Sequence, residues 1–517
     1  MSVSGSAKRG IAWTLSSNLA IQALSFAVGV VLARLIPPAD FGVFAITGIF
    51  SGLAATVSNI GLGSALVRRK EVTPAHCRSM LAANLASSGA IVLILTLLAP
   101  WVGRYFKNPL ATPVLMVVAW NFLINSASSV SFSLASRALR FRLIAQVEAV
   151  AAIVNGVVAI VLALRGHGVW AIAWAGIAQS LTRALLLLAL GGWRPGLGWD
   201  RAALGDLVGF GAGLTLKRLI NYAAANVDYF VIGRRLGAAD LGYYTRAYNL
   251  MTLPLTQLSR VMMQVLFPAF ARLQDDNPRL VAGYSKVVTA TSLASFPFLV
   301  GLFLVAAPFV HVVYGATWMP AVLPLQIMCV AGMMKSVSTF IGAITDAKGQ
   351  VGSEVRRQLI YLTLLVAGTF IGSFYGTAGV AVAVVVASLV MLVMMQTLLN
   401  KLTGMTWRDY FAALAPAMAG AAVMSAVVIA FQLAARRFLD PLSPAMLASA
   451  TLLGAAVYVL FFLIVRIQRV DSLRADLKRT FFRRQGSGHG GAPGAGTDGP
   501  AEPAVMAGAT GLPRDEI

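Results

Sequence analysis

The chain has 517 residues, 58% of them hydrophobic and only 12% charged, about half the roughly 25% charge content of an ordinary soluble protein. That balance excludes a soluble globular domain, because the few polar side chains cannot cover so much apolar mass. The net charge of +22 comes with no basic and aromatic binding module, so nucleic acid is excluded as a partner. The charge is read instead as the cationic loops of a membrane protein.

The apolar blocks reach about 20 residues, the length that crosses about 30 Å of hydrocarbon. About fourteen transmembrane helices are predicted. Their limits are 11–34, 41–66, 79–102, 109–135, 143–165, 168–191, 206–232, 241–268, 286–313, 319–345, 356–375, 378–400, 409–433 and 444–467. The first run follows a basic flank but is too long for a cleaved signal peptide, and it reads as a retained helix. After Arg466 a basic stretch leads into a Gly, Pro and Ala-rich tail that is expected to be disordered.

With the N-terminus cytoplasmic, roughly 26 Lys and Arg fall on the inside and roughly 8 on the outside, so both termini are expected to be cytoplasmic. Every connection is short, which leaves no room for an extramembrane catalytic domain, and no enzyme activity is expected. Cys77, Cys329 and four histidines without an HExxH spacing support neither a disulfide framework nor a metal site.

One phrase recurs. "LARLIPPADFG" (Leu32 to Gly42) returns as "IGRRLGAADLG" (Ile232 to Gly242), aligning Val31 with Val231, Arg34 with Arg234, Asp40 with Asp240 and Gly42 with Gly242. Pro37 and Pro38, or Gly237, stop one helix. Asp40 and Asp240 are placed to N-cap the next, and Gly42 and Gly242 permit close helix approach. A second match pairs "GHGVWAIA" (Gly166 to Ala173) with "TAGVAVAV" (Thr377 to Val384). Two matches at nearly one offset imply a duplicated six-helix unit, and an even number gives both copies the same orientation. The expected fold is therefore all-α and polytopic, with two pseudo-symmetric six-helix lobes at 1–202 and 203–402. A helix pair at 403–467 and a tail at 468–517 follow. Two facing lobes are a transporter architecture with substrate at their interface.

The N-terminal "RGIAWTLSSNLAIQALSFAVGVVLARLIPPADFGVFAI", followed by "GLGSALVRR", resembles the Wzx-type polysaccharide-transport flippases of the MOP superfamily. The resemblance runs over about residues 8–470 and implies a MurJ- and MATE-like fold in the bacterial inner membrane. It further implies a substrate of undecaprenyl-diphosphate-linked oligosaccharide, flipped to the periplasmic leaflet for lipopolysaccharide or exopolysaccharide synthesis. Implied partners are this anionic lipid-linked oligosaccharide, membrane lipids and other polysaccharide-assembly membrane proteins.

Charges inside a membrane are costly and mark function by default. Those within the predicted spans are Arg183, Lys217, Arg218, Arg246, Arg260 and Lys335, against the carboxylates Glu148 and Asp228. Arg246, Asn249, Gln257, Arg260 and Gln264 share one helical stripe, as do Lys217, Asn221 and Asp228, and also Lys335, Thr339 and Asp346. Asn121, Asn125 and Ser128 form a weaker polar stripe. A diphosphate calls for such cations, and Lys217, Arg218, Arg260 and Lys335 are the expected headgroup site, with Arg246 and Arg183 as further candidates. Arg183, Arg246 and Arg260 lie near span ends, where snorkelling to headgroups is the competing explanation. Lys217 has Asp228 as a rival partner. No cofactor is expected; whether Glu148 or Asp228 couples H+ or Na+ stays open. The alternative is a MATE-like cation-coupled multidrug exporter, which should carry a cavity dominated by carboxylates rather than by cations.

Overall fold

A computed structural model describes residues 3–58, 62–69, 71–196, 198–201, 205 and 212–465, with the side chains of 3–17, 212–217, 254–269, 271 and 351 outside the description. The expected disordered tail lies outside the described residues. Residues 1–467 form one compact unit.

The first helices are α1 (Val3–Leu35), α2 (Pro38–Ser58), the short α3 (Leu62–Arg68), α4 (Pro74–Tyr105), α5 (Ala111–Arg137), α6 (Phe141–Leu164) and α7 (Val169–Leu190). The chain continues through α8 (Ala212–Arg235), α9 (Ala238–Arg272), α10 (Asn277–Leu304), α11 (Ala306–Val313), α12 (Val322–Ser338) and α13 (Ile341–Ala347). It ends with α14 (Val351–Gly372), α15 (Gly376–Thr403), α16 (Trp407–Ala435) and α17 (Pro444–Ile464). Local chemistry sets several starts. Thr73 and His76 form a reciprocal cap at α4, Thr406 and Asp409 do so at α16, and the Ser443 hydroxyl accepts the Met446 N–H at α17.

Among the described residues, eleven helical segments are long and apolar enough to cross a membrane. Three of them contain more than one helix: Pro38–Arg68 (α2 and α3), Ala316–Ala347 (α12 and α13) and Gly352–Thr403, whose α14 and α15 are each long enough to be a span. The long helices α8 and α9 supply the remainder of the expected set; they carry more charge, including Arg218, Asp228 and Arg246. Leucines such as Leu97 and Leu463 stand exposed on the outside of the bundle, where a soluble protein would place polar groups.

Two predicted spans are interrupted. The span at 286–313 breaks at Val305, between α10 and α11, and the span at 319–345 breaks between α12 and α13. At the second break the Thr339 hydroxyl donates to the Lys335 carbonyl at 2.8 Å and the Ser338 hydroxyl does so at 3.3 Å. Side-chain hydroxyls that compete for a helix carbonyl bend and end helices in this way.

Helix pairing follows one pattern twice. In α1–α7 the pairs are α1 with α6, α4 with α5, α5 with α7, and α6 with α7. In α8–α15 they are α8 with α14, α10 with α12, α12 with α15, and α14 with α15. Helix α2 joins the two sets through α8 and α9, while α16 packs on α10 and α17. The cores are distributed unevenly. One apolar cluster holds residues of both sets, including Ile36, Ile46, Phe106, Ile232, Tyr244 and Trp318. Toward the other end of the helices the first set has a separate cluster around Leu66, Cys77 and Met80, and the second has another around Phe270, Tyr284 and Phe340.

Candidate transport site

The repeated phrase forms the junction between the two helix sets. A Cβ added at Gly42 would run into the backbone carbonyl of Ala238, and one added at Gly242 would run into that of Pro38. The two contacts are related by the same offset as the sequence repeat. Around them Trp318 Nε1 donates to the Ala33 carbonyl at 2.7 Å, and Arg34 Nε donates to Val313 O at 3.0 Å with Nη2 on Val312 O. The Tyr222 hydroxyl donates to Ile49 O at 2.6 Å. Phe106 and Tyr105 of α4 meet Phe230 of α8 with ring centroids 5.3 and 5.1 Å apart.

Asp40 does not cap its own helix. It lies in the first turn of α2, and its carboxylate accepts the Val169 N–H at the start of α7. At the equivalent position α9 starts on Gly237 with no side-chain cap. In both copies the aspartate is the third residue of its helix rather than the residue that precedes it.

The sequence-predicted site residues separate into three places. Arg246 belongs to the junction, its guanidinium 4.1 Å from the centroid of Phe41 and 5.9 Å from that of Trp318. Asp228 and Lys335 share a second, buried place within the second helix set. Asp228 accepts the Tyr244 hydroxyl at 2.8 Å and the Tyr229 N–H at 2.9 Å. Lys335 Nζ lies 3.5 Å from the Tyr248 hydroxyl and 5.1 Å from that ring's centroid, and it interacts electrostatically with Asp228. Tyr229 packs edge-on to both Tyr244 and Tyr248, which ties the two charges into one aromatic cluster. Lys335 ends its helix one turn before the break at Thr339, the kind of discontinuous helix that transporters place at binding sites.

Arg183 and Glu148 occupy the third place, in the first helix set, paired at 2.9 Å and each about a third exposed. Arg183 also lies over Phe132 at 5.2 Å. It borders a cavity of about 260 Å³ whose polar lining includes Asn84, Asn125, Ser128 and Ser133. A cavity of about 570 Å³ beside it shares Ser58, Asn84, Asn125 and Ser129, and reaches Gly48 and Gly52 near the Tyr222 contact. Arg218 lies exposed on α8. The side chains of Lys217 and Arg260 lie outside the described residues, so of the four expected headgroup cations only Arg218 and Lys335 are described. The α4 contribution of Asn84 and Ser88 escaped the sequence reading. Its signal was "AANLASSGA" (Ala82 to Ala90), a polar cluster inside an apolar helix.

The fold is similar to that of the lipid II flippase MurJ in an inward closed conformation, with a TM-score of 0.65 at 14% identity, covering 91% of this chain and 99% of that one. A MATE multidrug resistance transporter in an inward-facing conformation gives 0.56 at 17% identity, covering 75% and 96%. The chain thus has the all-helical fold of these two membrane transporters, with apolar side chains on the outside and charged and hydroxyl groups within. A profile of the family described as "Polysaccharide biosynthesis protein" matches residues 31–323, and the chain belongs to that family. The lipopolysaccharide biosynthesis protein WzxC of Escherichia coli (strain K12) is 28% identical over 413 residues, 78% of this chain and 83% of WzxC. The succinoglycan biosynthesis transport protein ExoT of Rhizobium meliloti (strain 1021) is 26% identical over 334 residues, 64% of this chain and 68% of ExoT. The protein is accordingly a multi-pass protein of the bacterial inner membrane.

Proposed function

We propose that the protein flips undecaprenyl-diphosphate-linked oligosaccharide repeat units from the cytoplasmic to the periplasmic leaflet, for lipopolysaccharide or exopolysaccharide synthesis. The observation that carries this reading is the uneven core. Among the described residues, the two helix sets share one apolar core at the end bearing Pro37 and Gly237 and keep separate cores at the other end. Such an arrangement suits two lobes, 1–202 and 203–402, that are sealed on one side and part on the other. The helix pair at 403–467 packs outside this exchange. With both termini cytoplasmic, as the distribution of Lys and Arg favours, the sealed end is periplasmic and the conformation is inward-facing.

The relatives' roles in lipopolysaccharide and succinoglycan biosynthesis support a glycan precursor as cargo. In this reading Lys217, Arg218, Arg260 and Lys335 receive the diphosphate as it leaves the interface. Arg246 works in the seal rather than on the headgroup. Asp228, hydrogen-bonded and within the field of Lys335, is the better placed coupling carboxylate, because Glu148 is occupied by Arg183.

The test is a deletion strain scored for lipid-linked repeat units on the cytoplasmic leaflet, complemented by the quadruple Ala variant of Lys217, Arg218, Arg260 and Lys335. Accumulation in the deletion and in the quadruple variant, with normal protein levels, is expected. Wild-type export from the quadruple variant overturns the headgroup assignment. A deletion that sensitises cells to cationic drugs without precursor accumulation overturns the flippase reading itself.

A further inference from the structure

The cavity between α2, α4 and α5 is lined by uncharged hydroxyl, amide and apolar groups, where a diphosphate site would gather cations. Three of its serine protons are already committed to the helices that carry them. Ser51 donates to Thr47 O at 2.9 Å, Ser126 to Leu123 O at 2.8 Å and Ser129 to Ser126 O at 2.7 Å. The amide protons are also engaged: Asn84 donates to the Ser129 hydroxyl at 2.8 Å, Asn121 to Val118 O at 3.0 Å, and Asn125 to Asn121 O at 2.8 Å. What Ser51, Ser126 and Ser129 still offer is lone pairs, while Asn84 and Asn121 each keep one amide N–H beside their oxygen. Asn121 Oδ1 is the sharpest case, a buried oxygen at the cavity wall that accepts no hydrogen bond. A buried acceptor left unsatisfied costs about 1–3 kcal/mol, so the site is built for a ligand that brings donors.

Charge narrows the class. Arg183 is the one ionisable residue lining the two described cavities, and Glu148 pairs with it at 2.9 Å. The lining therefore has no free negative charge to hold a cationic drug or a metal ion. A diphosphate is anionic, and the one cation lining the two cavities is already paired with Glu148. A polyol does fit, because each sugar hydroxyl donates one proton and presents a C–H face to rings such as Phe122. The volume of about 570 Å³ lies within the range of small-ligand pockets, about 300–1,000 Å³.

We infer that this cavity is the glycan seat, a subsite that binds uncharged sugar rings of the cargo through their hydroxyl protons, separate from the cations that take the diphosphate. The inference rests on the flippase reading and divides the cargo between the two helix sets. Sugars lie against the first set, and the diphosphate lies toward Arg218 and Lys335 on the second.

The test uses the full-length protein in nanodiscs, with two probes: the host's own lipid-linked repeat unit and undecaprenyl diphosphate without sugars. Asn121→Leu is expected to weaken the repeat unit about tenfold and leave undecaprenyl diphosphate within about twofold. Asn121→Asp, which keeps an acceptor oxygen in place, restores most of the repeat-unit affinity. The double variant Ser51→Ala, Ser126→Ala removes two lining oxygens whose protons serve only their own helices, and it gives the same selective loss should the Leu variant not fold. Equal weakening of both probes, or unchanged repeat-unit binding in folded variants, overturns the glycan seat. Failure of the wild-type protein to bind either probe overturns the flippase reading instead.

Discussion

Replacing Gly42 and Gly242 with alanine tests the junction directly. Two terms oppose each other. Both glycines lie inside helices, where alanine is intrinsically better by up to about 1 kcal/mol. Against this, each new methyl meets a backbone carbonyl, of Ala238 or of Pro38, and a carbonyl cannot rotate away as a side chain can. Overpacking of this kind costs about 1–3 kcal/mol, and the rigid obstacle places it at the upper end. The net effect is about 2 kcal/mol against the sealed state for either substitution, or about thirtyfold in its population. The double variant falls short of the sum, because one separation of α2 from α9 relieves both clashes. Ile46 is fully buried in the shared core and serves as reporter. With Cys77 and Cys329 replaced by alanine, Ile46→Cys should react slowly with an impermeant maleimide added to intact cells. Adding Gly42→Ala should raise that rate by an order of magnitude or more. An unchanged labelling rate combined with a higher melting temperature would show that helix propensity wins and that the glycines do not hold the seal.

Trp318→Phe keeps the ring contacts but deletes the Nε1 bond to Ala33 O; it should cost about 1 kcal/mol, seen as a lower melting temperature and faster labelling of the same reporter. Glu148→Gln alone should destabilise more than Glu148→Gln with Arg183→Gln, because the single change strands a charge beside the cavity; thermal melting of the three proteins measures this, and equal melting refutes a functional pair. Asp228→Asn can still accept from Tyr244, so it should fold normally while stopping precursor export; wild-type export would remove Asp228 as the coupling group. Asp228→Leu leaves the Tyr244 hydroxyl without its acceptor and should also lower thermal stability, by about 1–3 kcal/mol.

What could be read from the chain depended on whether a feature is local or relational. Helices announce themselves through apolar length, so the spans emerged with little displacement. Of the two that broke, the one at 319–345 did so where Ser338 and Thr339 bond back to the Lys335 carbonyl, a competition that hydropathy does not register. The repeat pointed to close approach at Gly42 and Gly242, and the structure meets them there. Because glycine has no side chain, its purpose was legible only from its recurrence. Direction of approach was not legible. Arg34 and Arg246 carry the same charge as Lys335, yet two of them close the junction through carbonyls and aromatic faces, while Lys335 sits beside an internal carboxylate. Nor could spacing show that the serines of α5 spend their protons on their own backbone. That detail turns the weaker polar stripe of Asn121, Asn125 and Ser128 into part of an uncharged wall rich in acceptors, and it moves part of the recognition from the cations of the second helix set to the uncharged face of the first.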